Sequence, residues 1–126
     1  MVEQIEMQTK ETYKSNLIIE ANFLKIQGLY QDAAAKFAEA AQIEEQLAEQ
    51  LLAQGQGTEA AIHQLSALSC WGQAGDLYRA MNMGQQLLTQ SYLSSRQRAD
   101  LLDYLHQLQQ RYTEWANQWS LQLATN

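Results

Sequence analysis

The stretch from Leu17 to Phe37 limits the fold more than any other part of the sequence. Up to Gly28 its apolar residues recur every three or four positions, which predicts a helix. Glycine adopts the left-handed conformation of a helix C-cap most easily, so we expect the helix to end at Gly28. Alanines then surround Phe37, and small residues let two helix axes approach closely. The stretch therefore predicts an antiparallel pair of helices.

The helix before Gly28 carries two apolar stripes, and a helix of this kind is expected to be covered on two sides. The first stripe is Tyr13, Leu17, Ala21 and Leu24, and the second is Ile19, Phe23 and Ile26. A second reversal is predicted at Gly75, where Asp76 can cap the following helix.

Together with a glycine-containing linker at 54–57 and a break before the last helix, these two turns divide the chain into five helices, and the absence of proline from the sequence favours helix throughout. We predict an all-α fold in a single domain covering 1–126. Its parts are a first hairpin at about 3–53, a second at about 59–93 and a C-terminal helix at about 95–123. Thr58 is the expected N-cap of the third helix, and Ser94 or Ser95 that of the last.

Seven residues of the first hairpin stand at the spacings of the tetratricopeptide repeat, a helix-turn-helix unit of about 34 residues. They are Ala21, Leu24, Gly28, Tyr30, Ala33, Phe37 and Ala40. The hairpin resembles one such repeat, although Leu17 replaces the early tryptophan of the motif. The second hairpin resembles it less, because Gly84 stands where an aromatic residue is usual. The turn G-x-Y-x-x-A is also similar to that of three-helix domains that bind tail helices of membrane-remodelling proteins.

The tetratricopeptide resemblance implies a groove, lined by the first helix of each hairpin, that holds a peptide or helix of a partner protein. The family's groove positions correspond here to Asn22, Lys25, Ser69 and Gly72. The expected function is that of a non-catalytic interaction module or adaptor. A small acidic chaperone of a secreted or assembling client is an alternative that the same resemblance implies.

The C-terminal helix carries a regular apolar stripe, which is expected to be buried. It consists of Leu101, Leu105, Leu108, Tyr112, Trp115 and Trp119. One interpretation is that this stripe closes the end of a helical array. The other is that Tyr112, Trp115 and Trp119 form an interface with a partner or a second copy, since such aromatics are enriched in interface anchors. A self-associating structural protein is therefore a further alternative.

The first hairpin is predicted to be longer than the second and to extend past it. Because its two helices are antiparallel, the start of the first helix should lie beside the end of the second. This arrangement gathers acidic residues into a patch that either receives a basic partner segment or is simply solvated. The residues are Glu3, Glu6, Glu11, Glu44, Glu45 and Glu49.

The net charge of −6 and the pI near 4.7 disfavour binding to a phosphate backbone, so nucleic acid is not an expected partner. The sequence lacks the roughly 18 consecutive apolar residues of a membrane span, and its start lacks a signal pattern. We expect a cytoplasmic protein.

Catalysis and metal binding are not expected. The candidate groups are His63, His106 and Cys70, which lie on at least two predicted helices and do not have the short spacing of a metal site or the pattern of a nucleophile with its base. We expect both histidines to be solvated and Cys70 to be a small core residue. No cofactor is expected.

Overall fold

In the computed structural model, which describes residues 1–125, the chain forms five helices and no strand within that range. They are α1 (Val2–Ile26), α2 (Tyr30–Ala53), α3 (Gly57–Gln73), α4 (Leu77–Leu88) and α5 (Ser95–Thr125). The predicted all-α fold of five helices is confirmed. None of the helices described is both long and apolar enough to cross a membrane.

The first three connections are glycine turns of one kind. Gly28, Gly55 and Gly75 have φ angles of 81°, 74° and 88°, values that side chains with a Cβ rarely adopt. In each turn the N–H of the next residue donates to the carbonyl five positions earlier, as Leu29 does to Leu24 at 2.9 Å. This pattern is a Schellman cap, and it reverses the chain. The sequence predicts two of these reversals and treats Gly55 only as part of a linker.

Successive helices pack on one another, and α5 lies against both α3 and α4. The side chains show that α1 and α3 run in the same direction. Near one end Lys25 Nζ of α1 lies 3.0 Å from Gln73 Oε1 of α3, and toward the other end Glu11 pairs with His63. The turns after α1 and α3 therefore lie at the same end of the molecule.

The core between the first helices is built from small residues around one ring. Ala21 of α1 and Ala40 of α2 are completely inaccessible to solvent, and Phe37 is buried beside them. Alanines on both helices allow the close approach that the sequence predicts, and the ring fills the remaining space.

The end of α4 differs from the prediction. The helix ends at Leu88 instead of continuing to 93, and the carbonyl of its last residue has a partner outside the helix. The Arg98 guanidinium of α5 donates to the carbonyls of Leu88 at 2.7 Å and Gln90 at 2.9 Å. A cation at this position also opposes the negative end of the helix dipole.

The two predicted N-caps have different outcomes. Thr58 lies inside α3, and its hydroxyl donates to the carbonyl of Tyr92 at 3.1 Å instead of capping the helix. Ser94 caps α5 as predicted: its Oγ accepts from the N–H of Gln97, whose side chain accepts from the N–H of Ser94. This reciprocal pair is a capping box.

Candidate functional site

The first half of α5 packs on the second hairpin at a glycine, whose lack of a side chain leaves space for α5. A Cβ on Gly84 of α4 would lie 2.5 Å from Leu105 Cδ2 and 2.9 Å from Leu68 Cδ1, so any larger residue would force these two side chains to shift. Leu101 and Leu108 are completely buried on the same face of α5. Gly84 is thus a position where α5 packs closely on α4.

The same helix covers part of the groove predicted from the resemblance. Gly72 is buried beside the hydroxyl of Tyr104, which donates to the carbonyl of Ser69 at 3.4 Å. Ser69 and Gly72 therefore contact α5 and do not line an open groove. At these two positions a helix of the chain itself lies beside α3.

The two other predicted groove residues lie on the exposed surface of α1. Asn22 is exposed, and Lys25 donates to the side chain of Gln73. This hydrogen bond links Lys25 to the end of α3. Of the four predicted groove residues, Asn22 and Lys25 are exposed, whereas Ser69 and Gly72 are covered by α5.

Beyond Leu108, α5 extends past the second hairpin. The α3 helix, which runs parallel to α5, ends at Gln73, whereas α5 continues through residues 109–125, which we call the α5 tail. At about 1.5 Å per residue the tail is roughly 25 Å long. Between 109 and 124 every side chain is exposed except that of Ala116, which is half-buried.

Three aromatic residues of the tail form a ladder on one helical face. Tyr112, Trp115 and Trp119 are 46%, 52% and 51% exposed. Their ring centroids are 5.9 Å and then 6.1 Å apart, with tilted and edge-on geometry. We call these three residues the aromatic ladder. Aromatic pairs in this geometry attract one another, so the rings are held in order on the helix surface.

The aromatic ladder continues the stripe that holds α5 to the hairpin. From Leu101 through Leu108 the stripe is packed on α3 and α4, and from Tyr112 onward it is exposed. The prediction that the whole stripe is buried is therefore wrong for this chain on its own. The second hairpin is simply too short to cover the last turns of α5.

Charge is distributed unevenly between α5 and the rest of the chain. Residues 1–93 contain five Lys or Arg against eleven Asp or Glu, which accounts for the whole net charge of −6. Residues 94–126 contain three of each and are neutral, and the tail itself carries only Arg111 and Glu114. An apolar face on a neutral helix projects from an acidic protein.

A second uncovered apolar face lies at the other end of the helical array. Ile19, Phe23 and Ile26 of α1 are all exposed, so the second stripe of this helix is not covered as expected. The first stripe of α1 packs on α2, and the second faces away from it.

The predicted acidic patch is smaller than expected because three of its members, Glu44, Glu45 and Glu11, are paired within the fold. Glu44 is 1% exposed and pairs with Lys14 Nζ at 3.2 Å and with His63 Nδ1 at 3.1 Å. Its Oε2 is buried without a hydrogen-bond partner. His63 is therefore not solvated as predicted, and its Nε2 lies 3.5 Å from the Glu11 carboxylate.

Glu45, the second engaged member, accepts a hydrogen bond from Trp71 Nε1 at 3.1 Å. It also pairs with Arg79, whose guanidinium carbon lies 3.9 Å from the centre of the Trp71 ring. The remaining predicted members, Glu3, Glu6 and Glu49, are exposed.

Two predictions from the sequence concern chemistry: the absence of a metal site and the place of Cys70 in the core. No cluster of three or more His, Cys, Asp or Glu side chains within 1–125 could hold a metal ion. Cys70 is buried, as the sequence predicts, and burial together with Glu44 raises the pKa of its thiol to about 11. A thiol in this state is a poor nucleophile at neutral pH.

Comparison of the chain with protein-family models, with curated proteins and with solved structures finds no match. The geometry of α5 is therefore the main guide to function.

Proposed function

We propose that the chain is a non-catalytic interaction protein that docks on a helix of a partner chain through the aromatic ladder of α5. The observation that supports this function is that Tyr112, Trp115 and Trp119 are about half exposed, on a part of α5 that extends beyond the second hairpin. A contiguous apolar surface of this kind marks interaction sites in soluble proteins.

The chemistry of the ladder fits an interface anchor. Tryptophan and tyrosine supply large rigid contact areas and are the commonest hot-spot residues. Covering the exposed half of one such ring removes roughly 100 Å² from water, which stabilises a complex by about 2 kcal/mol before the costs of association. Three rings in one row can therefore support a specific contact.

The spacing of the ladder favours a helical partner. Tyr112, Trp115 and Trp119 stand at i, i+3 and i+7, so they form a narrow strip about two turns long. A strip of this shape matches the ridge of another amphipathic helix. The proposal keeps the adaptor role that the sequence predicts and moves the contact from the predicted groove, which the first helix of each hairpin would line, to α5.

Site-specific photo-crosslinking in cells tests this function. We would place p-benzoylphenylalanine at position 115 or 119, with position 117 as the control because Asn117 lies on the opposite side of the same helix. We expect a covalent protein adduct from 115 and 119 and much less from 117. The proposal fails if 115 and 119 give no adduct, or if all three positions give equal amounts.

A further inference from the structure

We infer that the helix that covers the aromatic ladder is the α5 tail of a second copy, in antiparallel orientation about a two-fold axis. This inference rests on the proposed function and names its partner. It follows from the distribution of charge, the continuity of the apolar stripe and the reach of the tail.

Charge makes the tail the region where two copies can meet most easily. Two copies of an acidic protein repel one another over most of their surfaces. All of the net charge lies in residues 1–93, whereas residues 94–126 are neutral and the tail has one Arg and one Glu. A foreign partner with a basic helix would find no acidic rim around the ladder, because Glu114 is balanced by Arg111.

The stripe on α5 is already used for helix packing in the first half of the helix. Its steps of three and four residues continue unchanged from Leu101 to Trp119, so the exposed part is built like the part that α3 and α4 cover. A regular repeat of this kind is the pattern by which two helices pack side by side. A second copy presents the same stripe, so a two-fold contact would pack one aromatic ladder on the other.

The antiparallel orientation keeps the acidic parts of the two copies apart. If Trp115 of one copy packs against Trp119 of the other, the two-fold axis passes near position 117. Leu108, where the hairpin ends, then lies about 13 Å from the axis along each helix. The two hairpins are separated by more than the Debye length of about 8 Å, so their mutual repulsion is largely screened.

The contact is small, which sets the expected affinity. Two helices that meet over roughly 25 Å bury less than the 1,200 Å² or so that is usual for tight complexes. We therefore expect a dimer that dissociates in the micromolar range.

Sedimentation velocity from about 1 µM to about 200 µM tests the inference with the full chain. We expect a shift from the 14.4 kDa monomer to twice that mass. Trp115→Ala and Trp119→Ala should each raise the dissociation constant at least about tenfold, while Asn117→Ala leaves it unchanged. Far-ultraviolet circular dichroism of each variant checks that α5 stays helical.

Three outcomes would overturn the inference. The first is a wild-type chain that stays monomeric over the whole range. The second is a dimer that survives both tryptophan substitutions. The third is a dimer that is lost in Phe23→Ala instead, which would place the contact on the outer face of α1. A monomer that still gives adducts with another protein from position 115 would keep the proposed function and reject only the second copy as its partner.

Discussion

Nδ1 of His63 lies 3.1 Å from Oε1 of Glu44, a carboxylate that is almost completely buried where three helices meet. Helix α1 contributes Lys14 and Glu11 to this cluster, α2 contributes Glu44 and α3 contributes His63. Because the second oxygen of Glu44 is buried without a partner, the charge depends on the contacts of the first. The cluster therefore ties α1 and α3 to α2 by interactions that are costly to remove singly.

Replacing Lys14 with methionine should expose this dependence. Removal of one partner of a buried ion pair leaves an uncompensated charge, so we expect Lys14→Met to lower the free energy of unfolding by about 3 kcal/mol. Urea denaturation followed by circular dichroism measures the loss. Lys36→Met is the matched control, because the Lys36–Glu20 pair is largely exposed and should change stability by less than about 0.5 kcal/mol. Equal losses in the two variants would show that the buried cluster contributes no more to the free energy of unfolding than an exposed ion pair does.

The packing of α5 on α4 can be tested by enlarging Gly84 and shortening Leu105. Gly84→Ala gains helix propensity of about 1 kcal/mol, but its Cβ collides with Leu105 and Leu68, an overpacking that costs roughly 1–3 kcal/mol. We expect a small net loss of stability, and we expect Leu105→Ala to be less harmful in the Gly84→Ala background than alone. Thermal unfolding of the two single variants and the double variant forms a double-mutant cycle. Strict additivity would contradict the close approach of α5 to α4.

Helix periodicity predicted much of this architecture. Alanines on two faces with a glycine between them were sufficient to locate α1, α2 and the turn at Gly28, because close packing and chain reversal are local requirements. The same reasoning did not predict that α5 extends beyond the second hairpin. Periodicity tells which residues share a face, but whether Trp115 is covered depends on the length of α3, which ends at Gln73.

The sequence contains a signal for the buried charge of the Glu44 cluster. Glu44 stands at helical spacing among Ala40, Ala41, Leu47 and Leu51, all of which are buried. An acidic residue in the middle of an apolar helix face predicts a buried charge that needs a cation nearby. The identity of that cation could not be read from the sequence, because Lys14 and His63 come from two other helices.

Cys70 makes stability depend on pH in the alkaline range. Its thiol has an ordinary pKa of 9.0 and a pKa of about 11 in the folded chain, chiefly because of burial. The unfolded chain therefore loses this proton first, so the contribution is complete below pH 9 and is lost as the pH rises toward 11. We expect the urea midpoint to fall over this range.

Cys70→Ala is the control for this pH dependence and should make the fall smaller. It should not abolish the fall, because burial also raises the pKa of Tyr104 above 10.0. An identical pH profile for the variant and the wild type would contradict the assignment to the thiol.

The α5 tail should be dispensable for folding. A chain that ends after residue 110 loses the aromatic ladder but keeps Leu101 and Leu108, so we expect its monomeric stability to change by less than about 1 kcal/mol. Leu108→Ala in the full chain removes a completely buried side chain and should cost about 2–5 kcal/mol. Thermal melts at low concentration compare the two. A truncated chain that fails to fold would show that the tail supports the hairpins.

Amide hydrogen exchange across α5, followed by mass spectrometry over a range of concentrations, tests most directly whether a partner helix covers the exposed face. We expect the amides of 109–125 to exchange fast in dilute wild-type protein and slowly at high concentration, while 95–108 stays protected throughout. In Trp115→Ala the tail should exchange fast at every concentration. Tail amides that exchange at the same rate at all concentrations, and equally in the wild type and Trp115→Ala, would contradict docking of a second copy on the aromatic ladder.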